Sequence, residues 1–233
     1  MLPFRDRVAR VVRDVLFPPE RLFNELRSSE DRHQSVGEWW ETHHQRRAKF
    51  WLSGSRPGRV WRLLGIVDLI RPGTKVLNIG VGLGHCTREL AKRGCQVDAL
   101  DISPTALERV AKVTNRGWTP AELSELPSDA YDLAISFLVA QHMSNAGLQE
   151  QLFHVVRSLL PGGVFAIQVS FPLDAGLPES DGPAEQKSGS VLRTVRQFSE
   201  MVNRAGGEIA RQSEIGRFSE YKSGWMAYQV VKK

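Results

Sequence analysis

The sequence predicts an α/β fold: a doubly wound, mostly parallel seven-stranded sheet with an antiparallel C-terminal hairpin and an N-terminal helical cap. Three observations predict it. From Thr74 onward, short runs rich in Val, Ile and Leu alternate with helix-like segments, the pattern of parallel strands joined by crossovers. The last two strand-like runs, about 208–217 and 224–231, lie too near each other for a crossover and are most easily paired antiparallel. Ahead of Thr74 the chain reads as helices and breakers. The predicted division is therefore a cap over 1–72 and a sheet domain over 73–233.

In order, residues 4–16 place Val8, Val11, Val12 and Val15 at helical spacing among four arginines, and "FPPE" at 17–20 breaks that helix. Residues 36–52, "VGEWWETHHQRRAKFWL", read as a second helix. "SGSRPG" at 53–58 reads as a loop, and 59–70 as a helix stopped by Pro72-Gly73. The alternation that follows is strand 75–79, helix 85–93, strand 96–100, helix 104–115 and a weak strand at 117–120. A strong strand at 131–138, a helix at 146–160 and a strand at 163–170 continue it. A helix over 191–205 ends at Gly206-Gly207 before the hairpin. Residues 171–190 form a long polar insert with three prolines. It leaves the fifth strand at the edge where open α/β sheets bind ligands.

Composition narrows the function. Of 233 residues, 41% are apolar and 24% charged, ordinary for a globular protein. No run is long and apolar enough to suggest a transmembrane helix, and the N-terminus has no signal-peptide core. Two cysteines, Cys86 and Cys95, without CxxC spacing argue against a disulfide framework and for a reducing cytoplasm. The charge is uneven. Residues 1–75 hold 15 Lys and Arg against 9 Asp and Glu, a net of +6, and the remainder is near neutral. That basic third reads as a solvated helical surface, an attraction for an acidic substrate, or a contact with an anionic membrane. No nucleic-acid signature accompanies it.

"KVLNIGVGLG" at 75–84 ends a strand in Gly80, Gly82 and Gly84, a turn that lets backbone approach a ligand closely. Asp101 ends the next strand, where an acid can accept hydrogen bonds from both ribose hydroxyls of a nucleoside. A dinucleotide site would carry a third glycine where His85 stands, which weakens that reading.

At this point the chain resembles the class I S-adenosylmethionine-dependent methyltransferases over roughly 73–233. "VLNIGVGLG" resembles their glycine motif and "ALDIS" at 99–103 their ribose motif. "AELSELP" at 121–127 resembles the adenine-contacting segment, "AYDLAIS" at 130–136 the fourth strand, and "LLPGG" at 159–163 the turn before the fifth. The resemblance implies a Rossmann-like fold and S-adenosyl-L-methionine as cofactor, with S-adenosyl-L-homocysteine as product. The implied cofactor residues are Asn78, Gly80, Gly82, Gly84, Asp101, Ile102, Glu122 and Leu123. Asn78 departs from the family, which has an acid there. It keeps an acceptor for the cofactor's ammonium but loses the charge, a weakening of about 1 kcal/mol.

A hydroxyl acceptor benefits from a general base, and His142 follows the fourth strand beside the methyl group. A loop-shaping hydrogen bond is its other reading. His43 and His44 are alternatives, on a helix that aligns Trp40, His43, His44 and Arg47. Neither suggests a metal site, since adjacent helical residues diverge by about 100°. The sequence reading is thus O-methylation of a small-molecule or sugar acceptor. The alternatives are a quinone- or lipid-type acceptor at a membrane surface, and a catalytically silent nucleoside-binding module.

Overall fold

The computed structural model of the protein describes residues 36–45, 56–173, 191–219 and 222–233. The expected helix 4–16, the end of the 36–52 helix, the start of the 53–58 loop and residues 174–190 of the insert lie outside these residues. Helix α1 (Val36–Gln45) is followed by α2 (Pro57–Leu64), a 3-10 turn (Val67–Leu69), β1 (Lys75–Ile79), α3 (His85–Lys92) and β2 (Gln96–Leu100). Next come α4 (Pro104–Glu108), β3 (Gly117–Trp118), a second 3-10 turn (Pro120–Glu125), β4 (Tyr131–Ser136) and a third turn (Ala140–His142). The chain finishes with α5 (Asn145–Ser158), β5 (Leu159–Pro172), α6 (Val195–Arg204), β6 (Gly207–Phe218) and β7 (Ser223–Lys232).

Seven strands form one sheet in the order β3-β2-β1-β4-β5-β7-β6. The pairs β1–β2, β1–β4, β2–β3 and β4–β5 are parallel, and β7 is antiparallel to both β5 and β6. The order reverses between β1 and β4, and the crevice at such a reversal is where open α/β sheets hold ligands.

The sheet is covered on both faces because alternate residues of its strands point opposite ways. Leu77 and Ile79 of β1, with Phe165, Ile167, Tyr228 and Val230, pack under Leu148, Leu152 and Val155 of α5 and Phe198 and Val202 of α6. Val76, with Val97, Leu133, Ile135 and Ala166, packs under Trp61 and Leu64 of α2 and Leu90 of α3. Trp61 is 1% exposed, so α2, read from sequence within the cap region, belongs to the core beneath the sheet. Pro57 in its first turn and Gly65 beyond its end, at φ 69°, stop it short of the expected 59–70.

Two other boundaries differ from expectation. Helix 104–115 is regular only to Glu108. Beyond it, Val110, Ala111 and Val113 donate to the carbonyl three residues back, a tighter winding through β-branched positions. Strand β5 starts at Leu159, which pairs with Tyr131 before a register shift, so "LLPGG" is drawn into the sheet edge.

Candidate functional site

A cavity of about 280 Å³ opens at the β1–β4 crevice. Its floor is the glycine turn. Gly80 and Gly84 sit at φ 74° and 77°, and a Cβ would fall 2.1 Å from Val139 Cγ2 at the first and 2.4 Å from Val110 Cγ1 at the second. Gly82 is different: a Cβ there meets nothing within 4 Å, so the turn leaves open space for a ligand. The Gly82 amide donates to Asp101 Oδ2 at 3.0 Å and the Ser103 amide to Oδ1 at 2.9 Å. Backbone from two loops thus fixes the carboxylate, which is 5% exposed and lines the cavity. Ile102 beside it is 40% exposed, an apolar platform at the cavity edge.

Asn78 shares the α3 face of β1. Its Nδ2 donates to Thr87 Oγ1 at 2.8 Å, and Thr87 is fully buried. With Nδ2 so engaged, Oδ1 is the acceptor that Asn78, a lining residue of the cavity, can offer a ligand.

The 3-10 turn after β4 brings His142 to the opposite wall. Arg193, 0% exposed, braces that turn. Its Nη1 donates to Ala140 O at 2.9 Å, Nη2 to Met143 O at 2.6 Å and Nε to Asn145 Oδ1 at 2.8 Å. Beneath His142 the buried side chains of Gln141, Gln168 and Ser170 form a polar cluster.

Helix α1 lies across this wall. Glu41 accepts from Ser103 Oγ, Thr105 Oγ1 and the Thr105 amide, the N-terminal turn of α4, and Arg109 Nη2 donates to His44 O. Burial alone would raise the Glu41 carboxyl, but the hydrogen bonds from Ser103, Thr105 and Gln45 hold it at about 2. A carboxyl depressed from 4.5 in this way stabilises the folded state above about pH 4.5 and loses that contribution as pH falls toward 2. Trp40 stands with its ring centroid 5.2 Å from that of His142, edge to face, and 5.8 Å from that of His44. Burial pushes His44 below the usual imidazole range, with Arg109 adding to it and Asp101 and Glu41 opposing.

The cavity therefore brings together Asn78, Gly80, Gly82, Asp101, Ile102, His44 and His142. The side chain of His43 lies outside the described residues. Gly84, Glu122 and Leu123 are not among the lining residues. Gly84 sits beneath the start of α3, and Leu123 is in the core. Glu122 is held within its own turn: Thr119 N and Oγ1 donate to its Oε2 at 2.8 and 2.7 Å, which keeps the carboxyl below its ordinary range. Pro120 of that turn reaches the cavity instead. Sequence reasoning also missed Phe137, Leu138, Val139 and Met143, which follow β4 without a polar signature, and Arg193, whose acceptors are largely carbonyls.

The model of the methyltransferase-domain family matches residues 76–163. An uncharacterized methyltransferase of Synechocystis sp. is 37% identical over 101 residues, 42% of this chain and 48% of that protein. The demethylmenaquinone methyltransferase of Tropheryma whipplei is 29% identical over 149 residues, 61% of this chain and 55% of that protein. The chain spans about half the length of these relatives. Among solved structures, the Burkholderia thailandensis 1,6-didemethyltoxoflavin-N1-methyltransferase, with bound 1,6-didemethyltoxoflavin and S-adenosylhomocysteine, has a TM-score of 0.62 at 18% identity. The match covers 93% of this chain and 92% of that one.

Proposed function

We propose that the chain, which belongs to the class I S-adenosylmethionine-dependent methyltransferases, methylates a small, neutral, ring-bearing acceptor held against the wall that Trp40 and His142 form. One observation carries this reading. Among the described lining residues Asp101 is the only acid and there is no Lys or Arg, while Trp40, Phe137, Leu138, Val139 and Met143 make the far wall apolar. Such a wall suits a ring better than a sugar, whose hydroxyls it would leave without partners.

The residues fit the cofactor. In this reading Asp101 accepts from the ribose hydroxyls, Ile102 makes an apolar contact with the base and Asn78 Oδ1 takes the ammonium, supported by their common lining of the cavity and by the open space at Gly82. Bound S-adenosylmethionine supplies an electrophilic methyl group. The chain's own part is to hold the acceptor in line with it and to keep water out, which α1 and the braced His142 turn are positioned to do. The test is a screen of phenols, hydroquinones, hexoses and amines for S-adenosylhomocysteine release, with mass spectrometry of the product. Release with the ring acceptors supports the reading, and release with hexoses or amines alone overturns it.

Two further readings have specific support. The net charge of +6 over residues 1–75 and the demethylmenaquinone relative favour an acceptor with a lipid tail, met at an anionic membrane, which vesicle co-sedimentation would reveal. Asn78 favours a silent nucleoside-binding module, which would bind S-adenosylhomocysteine yet turn over no acceptor.

Asn78→Asp is expected to bind S-adenosylmethionine as tightly as the parent or up to about tenfold tighter, since it restores a charge-assisted bond. The Thr87 hydroxyl can turn to donate to the new carboxylate, so the fold has no cause to object. Titration calorimetry reads the outcome, and a large loss would mean that the amide donor is itself required. Glu41→Ala is expected to speed S-adenosylhomocysteine release about five- to thirtyfold in stopped-flow, because α1 loses its seat on α4. Unchanged release would separate α1 from the cofactor.

A further inference from the structure

We propose that Gln151 reads the base of the bound cofactor, its side-chain Nε2 donating a hydrogen bond to a ring nitrogen of the adenine. This rests on S-adenosylmethionine occupying the cavity with its ribose at Asp101.

Gln151 is buried on α5 alongside Leu148 and Leu152. It is 2% exposed, and its Nε2 is shut off from water without a hydrogen-bond partner. The residue also lines the cavity. A buried donor of this kind is costly, because its bonds to water were given up and nothing replaced them. Leu or Met would fill the same space without that penalty. The donor therefore calls for a partner from outside the fold, and the cavity that Gln151 borders is where such a partner enters. With Nε2 unbound, the amide can turn about its last side-chain bond to meet it.

The surroundings of Gln151 select the base as that partner. Leu100, the last residue of β2, lines the cavity and packs in one cluster with Leu148 and Leu152, the neighbours of Gln151 on α5. Asp101 and Ile102 follow Leu100 directly, so the amide belongs to the side where ribose gives way to base. Pro120 lines the cavity too, and Arg157 of α5 ties its turn down, donating to Ser124 O at 2.9 Å and Leu126 O at 2.8 Å. The side chains of Ile102 and Pro120 form no hydrogen bonds, and the Glu122 carboxylate is spent within its own turn. An amide NH2 only donates. The exocyclic amino group of adenine also donates, whereas its ring nitrogens carry lone pairs, so the group that Gln151 meets is a ring nitrogen.

The experiment is calorimetric titration of the full chain and of Gln151→Met. The ligands are S-adenosylhomocysteine and its 1-deaza, 3-deaza and 7-deaza analogues, each lacking one ring nitrogen. The parent is expected to bind one of the three analogues about five- to thirtyfold more weakly than S-adenosylhomocysteine. Gln151→Met is expected to bind S-adenosylhomocysteine more weakly by a similar factor, and to lose nothing further with that analogue, since the two changes remove the same bond. Without ligand the variant is expected to melt no lower than the parent, because the donor it lacks had no partner. Unchanged affinity in Gln151→Met overturns the proposal, as do losses that simply add for all three analogues. A variant that melts clearly lower or fails to fold overturns it as well, since the amide would then serve the fold. A parent that does not bind S-adenosylhomocysteine overturns the cofactor reading and this assignment together. Binding that is indifferent to Gln151 overturns the assignment alone.

Discussion

Replacing His142 with alanine is expected to slow methyl transfer at least about a hundredfold, while affinity for S-adenosylhomocysteine stays within a few fold. Removal of one preorganised donor to a charged oxygen lowers turnover by about 10²–10³. A general base is worth about 10²–10⁴, so alanine alone does not distinguish the two roles. His142→Gln and His142→Asn do. An amide donates a hydrogen bond but cannot take a proton, so a donor role is expected to recover turnover to within about tenfold of the parent in the better of the two. A base role recovers nothing. The turn itself has reason to survive these changes, since Arg193 holds it through Ala140 O, Met143 O and Asn145 Oδ1 without using the His142 side chain. Full activity in His142→Ala would move the acceptor elsewhere, with His44 the next residue to test.

Asp101→Ala is expected to weaken S-adenosylhomocysteine binding by about ten- to a hundredfold, or roughly 1.5–3 kcal/mol. Two effects add. The ribose hydroxyls lose their acceptors, and the Gly82 and Ser103 amides lose theirs, which unties the glycine turn from the end of β2. Asp101→Asn is the informative partner. It keeps one acceptor but sets an NH2 against one of the two amides, so its affinity is expected to fall between alanine and the parent. Calorimetric affinity unchanged in the alanine variant would remove Asp101 from the site.

How much of this was legible follows from where each signal resides. The parallel sheet was readable because β1, β2 and β4 are short apolar runs at regular intervals, and buried strands have few other ways to look. That Gly80, Gly82 and Asp101 line one cavity was readable, because a left-handed turn after β1 and an acid at the end of β2 restrict the residue type. Glu122 shows the opposite case. The run Thr119-Pro-Ala-Glu122 is a Thr-x-x-Glu capping box, and the local hydrogen bonds that follow from it hold the carboxylate within the turn. Spacing alone could have signalled that competition. Arg193 could not have been found so. Its partners are mainly carbonyls of the 140–143 turn, and every residue has a carbonyl. The contacts among Leu138, Gln168, Gln141 and His142 were equally hidden, since they depend on strand register and a left-handed Leu138, neither of which leaves a residue signature.

The anchoring of the chain around residues 174–190 has a consequence for how such an enzyme can diversify. The Leu173 amide bonds Lys222 O at 2.8 Å on the way out, and the Val191 amide bonds Gln141 O at 2.8 Å on the return. Arg193 then fastens its amide to Ser170 O at 2.9 Å and its guanidinium to the His142 turn. Both ends are therefore pinned to the sheet domain independently of what joins them. As a general rule, the entropy of closing a connection grows slowly, about 0.6 kcal/mol for each doubling of length. Changes of length between these two anchors can accordingly accumulate at little thermodynamic penalty, while the machinery they are tied to is inherited intact.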